Sequence, residues 1–370
     1  MKKQRTYPLR VVIAGGGTGG HLFPGIAIAE EFLRRNPATA ILFIISGNPF
    51  EISILSKKKY AWRRIESEGI KGRGLVRQLA AAAKIPQGIL SSLKILKNFR
   101  PDLVLGIGSY SSGPVVAGAW LLRIPVALCE QNVLAGITNR LLSHFADRIY
   151  VSFRNTCLGC ADKKIYFTGN PVRREILEYT VENKPDHKNQ KFTVMITGGS
   201  QGAHSINLIV ADALDHITNK TEFDFIHQTG SNDNKMMQTL FEKHGIHCKV
   251  ESFFNDMPQQ FNDADLVICR SGATTVAELT AMGKAALFIP YPFAADNHQE
   301  LNALALVEVG AAEMMLQEKL DGKLLAKKIE YFASNPEILK SMAARAKQIG
   351  QADAAEKIVN DSYRLAENVS

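Results

Sequence analysis

The residues best suited to chemistry sit where apolar runs break into glycine. Gly15, Gly16 and Gly17 lead through Thr18, Gly19 and Gly20 into His21, in the run GGGTGGH. Glycines let backbone N–H groups approach a phosphate, and the start of a following helix adds positive potential. A histidine there titrates near neutrality and is suited to moving a proton. It could equally do no more than hydrogen-bond a phosphate or the backbone, and both roles stay open. A second turn, GGSQGA, carries Ser200 and Gln201. One such turn alone can serve only close strand–helix packing. Two turns in matched contexts favour two anion sites.

Gly15, Gly17 and Gly20 also satisfy G-x-G-x-x-G. A nicotinamide site places an acid about 20 residues further on, at the end of the second strand, to hold a ribose. Here that strand, AILFIISG, ends in Ser46 and Gly47, and the next acid is Glu51. The turn also runs on into His21 and Pro24. A nicotinamide cofactor is therefore not expected.

The stretch CRSGATTVAELTAMGK holds the other constellation. A strand ends at Ser271 and Gly272, a helix starts between Ala273 and Val276, and Glu278 follows one turn in. A carboxylate near a helix start can accept hydrogen bonds from both hydroxyls of a ribose. It can also serve only the helix dipole or a cap. Asp296, Asn297, His298 and Gln299 could read sugar hydroxyls, or form a polar helix start. Arg173, in GNPVR, could counter a diphosphate. No D-x-D metal motif stands out. Cys157 and Cys160 form a lone C-x-x-C; zinc would need two more ligands, and only His247 and Cys248 suggest themselves. Ordinary thiols are the default for five scattered cysteines.

These residues need strands and helices to hold them. The chain has 370 residues, which suits two domains better than one core. LRVVIA, a glycine turn and GIAIAEEFLRR repeat in kind as FTVMITGG, a glycine turn and SINLIVADALDHI. Further buried-strand runs are AILFIISG, DLVLGIG, PVALCEQ, RIYVSF and KIYFTG, then FDFIHQTG, CKVESFF, ADLVICRSG and AALFIPYP. Helical patterns lie between them, so the expectation is α/β with two parallel sheets. The domains are expected at 1–170 and 171–349, divided near GNPVRREI and followed by the polar segment VENKPDHKNQK. The helical C-terminus, about 350–370, is expected to pack back on the first.

No run reaches the 18 or so apolar residues of a membrane span. The basic start, MKKQRTYPLRVVIAGGG, lacks the h-region and cleavage site of a signal peptide. The net charge is +8, and part of it has a location: residues 69–101 contain seven Lys or Arg and no acid. They are interleaved with Leu75, Val76, Leu79, Ile85, Ile89, Leu90, Leu93, Ile95, Leu96. That pattern suits an anionic bilayer surface rather than nucleic acid, unless the apolar residues are simply core.

GGGTGGHLFPG, GIGSYSSGP, CEQNVLAGITNR, GNPVR, GGSQGA and SGATTVAE occur in this order. Together they resemble the MurG family of N-acetylglucosaminyltransferases of peptidoglycan synthesis, from about Arg10 to beyond Asn302. The resemblance implies a GT-B fold, two Rossmann-like doubly wound parallel-sheet domains facing a cleft. It implies UDP-N-acetylglucosamine as donor and lipid I, undecaprenyl-diphospho-N-acetylmuramoyl-pentapeptide, as acceptor. The β-1,4 product would be lipid II, formed with inversion. Thr18, Gly19 and Gly20 match a loop that contacts the acceptor diphosphate and the donor, and His21 matches a proposed base. Asn132 matches a donor contact, Arg173 and Ser200 match groups near the UDP phosphates, and Gln201 belongs to the same turn. Phe254 falls where backbone atoms meet uracil. Ala273, Thr274, Thr275, Val276, Ala277 and Glu278 match the loop and helix that hold phosphates and ribose, and Gln299, with His298 its rival, matches a residue that reads the sugar. Tyr110 closes a motif the family often writes GGY, where this chain has Gly108, Ser109 and Tyr110.

The family needs no cofactor, although a divalent cation could assist. It implies a peripheral protein at the cytoplasmic face of the bacterial inner membrane, with anionic lipid and cell-wall synthesis proteins as further partners and no nucleic acid. Three other readings share the architecture: a glycosyltransferase for another lipid such as diacylglycerol, a UDP-sugar 2-epimerase, and a non-catalytic nucleotide-sugar module. The first glycine loop with His21, and the QNVLAGITN segment, favour the muramoyl acceptor.

Overall fold

A computed structural model describes residues 7–65, 75–159, 162–179 and 191–367. The chain divides into two compact units, one made of Met1–Arg173 with Gln351–Ser370, the other of Arg174–Gly350. The polar segment VENKPDHKNQK lies outside the described residues except for Lys191, and Cys160 also lies outside them.

The first unit is built on seven parallel strands: β1 (Arg10–Ala14), β2 (Ala40–Ile45), β3 (Ala61–Arg64), β4 (Leu103–Gly106), β5 (Val126–Glu130), β6 (Arg148–Val151) and β7 (Ile165–Phe167). Their order across the sheet is β3-β2-β1-β4-β5-β6-β7. Between them run α1 (Gly19–Arg35), α2 (Pro49–Lys57), α3 (Leu75–Phe99), α4 (Ser112–Leu121) and α5 (Ile137–Leu142). The strands read as unbroken apolar runs because helices cover both faces of the sheet. Val11 and Ile13 face one core with Phe32 of α1, while Val12 and Ala14 face another with Val115 and Val116 of α4.

The second unit holds β8 (Phe192–Thr197), β9 (Phe223–Gln228), β10 (His247–Glu251), β11 (Leu266–Cys269), β12 (Ala286–Phe288) and β13 (Glu313–Met314), with α6 (Arg174–Tyr179), α7 (His204–His216), α8 (Asn234–Lys243), α9 (Met257–Asp263), α10 (Ala273–Met282), α11 (His298–Val307), α12 (Gly322–Ser334) and α13 (Pro336–Ile349). Its parallel order is β10-β9-β8-β11-β12-β13. Ile206 and Val210 of α7, Leu325 and Ile329 of α12 and Phe225 of β9 share its core.

In both sheets the chain moves outward one way and then returns to the middle to build the other way. The reversal lies between β1 and β4, which pair up to Ala14 and Gly106, and between β8 and β11, which pair up to Thr197 and Cys269. Diverging connections leave a crevice at the carboxyl ends of such a strand pair, where ligands of doubly wound sheets bind. Both glycine turns stand at these points.

The last helix, α14 (Ala354–Glu367), belongs to the first unit. Ile358, Val359 and Tyr363 are buried in the core that contains Phe32. Asp361 accepts hydrogen bonds from the Tyr150 hydroxyl at 3.1 Å and from Arg148 Nε at 3.2 Å, tying α14 to β6. Part of the basic, apolar stretch behaves as core rather than surface: Leu96 is fully buried, and Ile95 packs against the same core. The side chains of Leu75, Val76, Leu79 and Ile85 lie outside the described residues. Ile358→Ala is expected to destabilise the first unit by about 3 kcal/mol, measured by urea denaturation of the full chain. A loss under about 1 kcal/mol would show that α14 is not part of that core.

Candidate active site at the strand ends

In the first unit, β1 ends at Ala14 and the chain turns through Gly15, Gly16 and Gly17 to Thr18, which is extended and opens α1. The turn rests on a buried carboxylate. Glu51 accepts from the amide of Gly17 at 2.6 Å, the Ser46 hydroxyl at 2.6 Å, and the amides of Gly47 at 2.9 Å and Asn48 at 3.0 Å. Asn48 answers by accepting from the Glu51 amide at 2.9 Å and donating to the Gly17 carbonyl at 2.9 Å. A Cβ on Gly16 would stand 1.9 Å from Glu51 Oε1, so only glycine fits above this carboxylate. Glu51 therefore does reach the glycine turn, although it lies beyond the end of the strand. It is consumed by the backbone there, so it is not displayed to a ribose.

The neighbouring turn, after β4, closes over the first. Gly16 donates its amide to Ser109 Oγ at 3.1 Å, and Ser109 Oγ lies 2.9 Å from Ser111 Oγ. Ser109 is left-handed, with φ +70. That conformation costs an L-residue about 1–2 kcal/mol, offset here by the hydroxyl's bond to the glycine turn. Tyr110 next to it is exposed. His21 lies in the first turn of α1, its Nδ1 3.3 Å from Thr18 Oγ1, with Thr18 and Gly20 exposed. At the end of β5 a second buried carboxylate shapes the QNVLAG loop. Glu130 accepts from the amides of Asn132 at 2.9 Å and Gly136 at 3.1 Å, and from Asn139 Nδ2 at 2.8 Å. Burial raises the pKa of Glu130, and these hydrogen bonds oppose that rise. Asn132 is held by this carboxylate, with its side chain 3.3 Å from it. Arg173 stacks its guanidinium 4.6 Å over the ring of Phe23, on α1. The first unit thus brings Thr18, Gly19, Gly20, His21, Tyr110 and Asn132 to the carboxyl ends of β1, β4 and β5.

In the second unit a neutral amide does the bracing. Gln228 donates to Thr197 Oγ1 at 3.2 Å and to the Gly199 carbonyl at 2.8 Å, while its oxygen accepts from the Phe254 amide at 2.9 Å. Phe254 is buried, and its amide is committed to this bond. Ser200 and Gln201 are exposed at the tip of the turn. Beneath them Asn207 of α7 donates to the Thr229 carbonyl at 2.9 Å and to Asp233 at 2.7 Å, and accepts from His227 Nε2 at 2.9 Å. His227 is fully buried, and desolvation pushes it down to about 3.

After β11 the chain passes Ser271 and Gly272 into α10. Ser271 donates to the Gln299 carbonyl at 2.7 Å, and Asn302 donates to the Ser271 carbonyl at 3.2 Å. Ala273, Val276 and Glu278 are buried; Thr274, Thr275 and Ala277 are partly so. Gln299 accepts from the Tyr291 amide at 3.0 Å, which makes it a brace of the loop before it, while its rival His298 bonds the Ala295 carbonyl at 2.8 Å. Arg270 is a cation buried beneath this turn. It donates to the carbonyls of Ile289 and Pro290, each at 2.9 Å, to Ser205 Oγ at 2.9 Å and to Gln317 at 2.7 Å. Burial lowers it to about 10, so it remains charged at neutral pH.

Sequence reasoning missed these braces. Glu51 leaves a readable trace, the Asn-x-x-Glu capping box opening α2. Gln228, Glu130 and Arg270 leave none, because a polar residue at a strand end says nothing of what it will hold. Among the described residues no three His, Cys, Asp or Glu side chains gather as a metal site. His247 pairs with Asp224 at 3.1 Å.

Two Rossmann-like parallel sheets, each with a glycine turn at its reversal point, define the GT-B architecture. Residues 11–151 match the glycosyltransferase family 28 N-terminal domain and residues 193–358 its C-terminal domain. The chain belongs to glycosyltransferase family 28 and, within it, to the MurG family. It is 43% identical over 360 residues, 96% of this chain and 99% of the relative, to the UDP-N-acetylglucosamine--N-acetylmuramyl-(pentapeptide) pyrophosphoryl-undecaprenol N-acetylglucosamine transferase of Syntrophus aciditrophicus. The crystal structure of Acinetobacter baumannii MurG matches with a TM-score of 0.78 at 29% identity, covering 96% of this chain and 100% of that one. A UDP-GlcNAc 2-epimerase from Neisseria meningitidis shares the fold, with a TM-score of 0.69 at 16% identity, covering 95% of this chain and 99% of that one.

Two outcomes follow from the braces. Glu51→Ala leaves the Gly17, Gly47 and Asn48 amides unpaired and is expected to cost about 3 kcal/mol, read by thermal or urea unfolding. His227 is depressed in the fold, so the unfolded chain binds more protons below its ordinary value near 6.5. Its contribution to stability is complete above about pH 6.5 and is lost as pH falls from there toward 3. His227→Gln should flatten the pH dependence of unfolding in that window; an unchanged slope would contradict the assignment.

Proposed function

We propose that this chain transfers N-acetylglucosamine from UDP-N-acetylglucosamine to the C4 hydroxyl of the N-acetylmuramoyl sugar of lipid I, forming lipid II with inversion. The observation that carries this reading is the 43% identity along 96% of the chain with a relative named for that transfer. The reaction is a single displacement. The C4 hydroxyl attacks the anomeric carbon as UDP leaves, and His21 takes the hydroxyl proton. The amides around Ser200 and Gln201, the start of α10 from Ala273 to Ala277, and Arg173 bear the negative charge of the leaving diphosphate. Arg270 beneath the turn adds a fixed positive charge. Glu278 takes the ribose, backbone atoms of Phe254 the uracil, and Asn132 and Gln299 the donor sugar. Thr18, Gly19, Gly20 and Tyr110 line the acceptor side. This chemistry needs no cofactor, and a divalent cation would serve only to neutralise phosphate charge further.

A lipid-linked acceptor also calls for a place at the membrane surface. Among the described residues no helix is long and apolar enough to cross a bilayer. Trp120 and Leu121, at the end of α4, are more than half exposed, and Trp120 packs edge-on against Phe145 at 5.1 Å. Leu141 is exposed on α5 and Leu90 on α3, which packs along α4. Lys94, Lys97, Arg100 and Arg123 are exposed on the same helices or just beyond their ends. Apolar side chains rimmed by basic ones suit a peripheral attachment to anionic lipid. The cytoplasmic face and contact with cell-wall synthesis proteins belong to the same reading.

Radiolabelled N-acetylglucosamine should pass to a short-chain lipid I analogue and to no diacylglycerol acceptor. Release of UDP-N-acetylmannosamine without acceptor would instead mark an epimerase. His21→Ala should lower turnover about a hundredfold or more, with donor binding retained; near-normal turnover would remove His21 from the role of base. Trp120→Ser combined with Leu121→Ser should weaken sedimentation with anionic vesicles at low salt, and unchanged binding would place the membrane contact elsewhere.

A further inference from the structure

Arg270, the first residue after β11, is buried with 8% of its surface exposed, and the four oxygens that it binds are all neutral. A buried cation on neutral partners is costly to keep. The two amino groups of its guanidinium serve different segments. One donates to the carbonyls of Ile289 and Pro290, where β12 runs out into the loop ahead of α11. The other donates to Ser205 Oγ and to Gln317 Oε1. Ser205 is the second residue of α7, the helix that follows the turn with Ser200 and Gln201, and its hydroxyl also donates to Gln317 at 2.8 Å. One planar group therefore stands behind both the second glycine turn and the loop 289–297.

That loop depends on its anchors. Asp296 and Asn297 are both left-handed, with φ +52 and +54, a conformation that non-glycine residues hold where the surroundings fix it. At one end the ring of Tyr291 lies 5.4 Å from the Arg270 guanidinium. The Tyr291 amide donates to Gln299 Oε1 at 3.0 Å, and Ser271, next to Arg270, donates to the Gln299 carbonyl at 2.7 Å. A backbone amide can only donate, so Gln299 must offer it the oxygen. Its Nε2, a donor, is turned the other way.

We propose that Arg270 is a positioning residue for donor selection, fixing the distance between the amides of the second glycine turn and Gln299 Nε2. This rests on the reading of Ser200 and Gln201 as diphosphate contacts and of Gln299 as a sugar contact. The sugar then meets a donor group already in place at a set distance from the phosphates, with little ordering left to do on binding. A sugar whose hydroxyls lie elsewhere gains nothing from it. Lysine would keep the charge, but it gathers its donors on one nitrogen and cannot hold both segments. Glutamate at 317 would keep an acceptor for Arg270 and Ser205 and offset the charge. Geometry and charge therefore come apart in these two variants.

The experiment is calorimetric titration of the full chain with UDP, UDP-N-acetylglucosamine and its C4 epimer UDP-N-acetylgalactosamine, no acceptor present, beside thermal unfolding. The parent should prefer UDP-N-acetylglucosamine to the epimer. Arg270→Lys should hold UDP as the parent does and lose that preference, a change of about tenfold. Gln317→Glu should do the opposite, weakening all three ligands by one factor and leaving the preference intact. A folded Arg270→Lys with the parent's preference overturns the proposal. So does one that loses UDP and both sugars by the same factor, since charge alone would then be its contribution. If Arg270→Lys does not fold, Ser205→Ala removes one bond of the phosphate-side arm. It should lose part of the preference with UDP affinity kept, and an unchanged preference would overturn the proposal. Gln299→Glu keeps the acceptor for the Tyr291 amide and removes the donor. A parent's preference in Gln299→Glu overturns the reading of Gln299 as the sugar contact, and the route through it with that reading. Preference lost in Gln299→Glu but kept in Arg270→Lys leaves that reading supported and overturns the role of Arg270 alone.

Discussion

A turn that presents backbone amides to a phosphate has to be held from the side the phosphate does not use. Glycine supplies the close approach, yet it also carries the greatest conformational freedom in the unfolded chain. Each unit meets this constraint by placing a buried polar side chain beneath its turn. In the first, Glu51 binds Gly17 and three groups at the end of β2 at once. In the second, Gln228 spans Thr197, Gly199 and Phe254. Everything placed at the mouth of either sheet depends on these braces.

The braces differ in charge, and the difference is consistent with the separate tasks assigned to the two turns. A carboxylate beneath the first turn already occupies the Gly17 amide and adds negative potential, leaving the start of α1 for a ligand. Beneath the second turn the brace is neutral, and the cation Arg270 stands under the neighbouring end of β11. Coulomb attraction in a partly desolvated site therefore makes the strand ends of the second unit the more favourable surroundings for an anion. Glu130 repeats the first unit's solution for the loop that carries Asn132.

Much of this architecture is written in apolar runs. Strands buried on both faces read without interruption, as in LRVVIA and ADLVICR, and the glycine turns mark their ends. What is hard to read has physical reasons. Strand β3, AWRR, is an edge strand whose side chains are largely exposed, so it carries no hydrophobic signature. Strand β13 is two residues long. In the stretch after residue 69 the same apolar spelling serves core at Leu96 and surface at Leu90. Among the candidate site residues, His21 follows one glycine turn and Glu278 lies in the helix after a strand-end Ser-Gly, so sequence position alone singles both out. Braces such as Gln228 and Arg270 act on backbone far away in sequence, and no local pattern announces them.

The return of α14 to the first unit bears on how the chain is made. Residues 174–350 are continuous and complete a core of their own. The first unit leaves the ribosome earlier, yet the side of Phe32 that Ile358, Val359 and Tyr363 cover stays open until residues past 350 emerge. Domains made in order tend to fold in order. Here the unit begun first is the one finished last, and its uncovered apolar face is the surface a nascent-chain chaperone would meet during the interval.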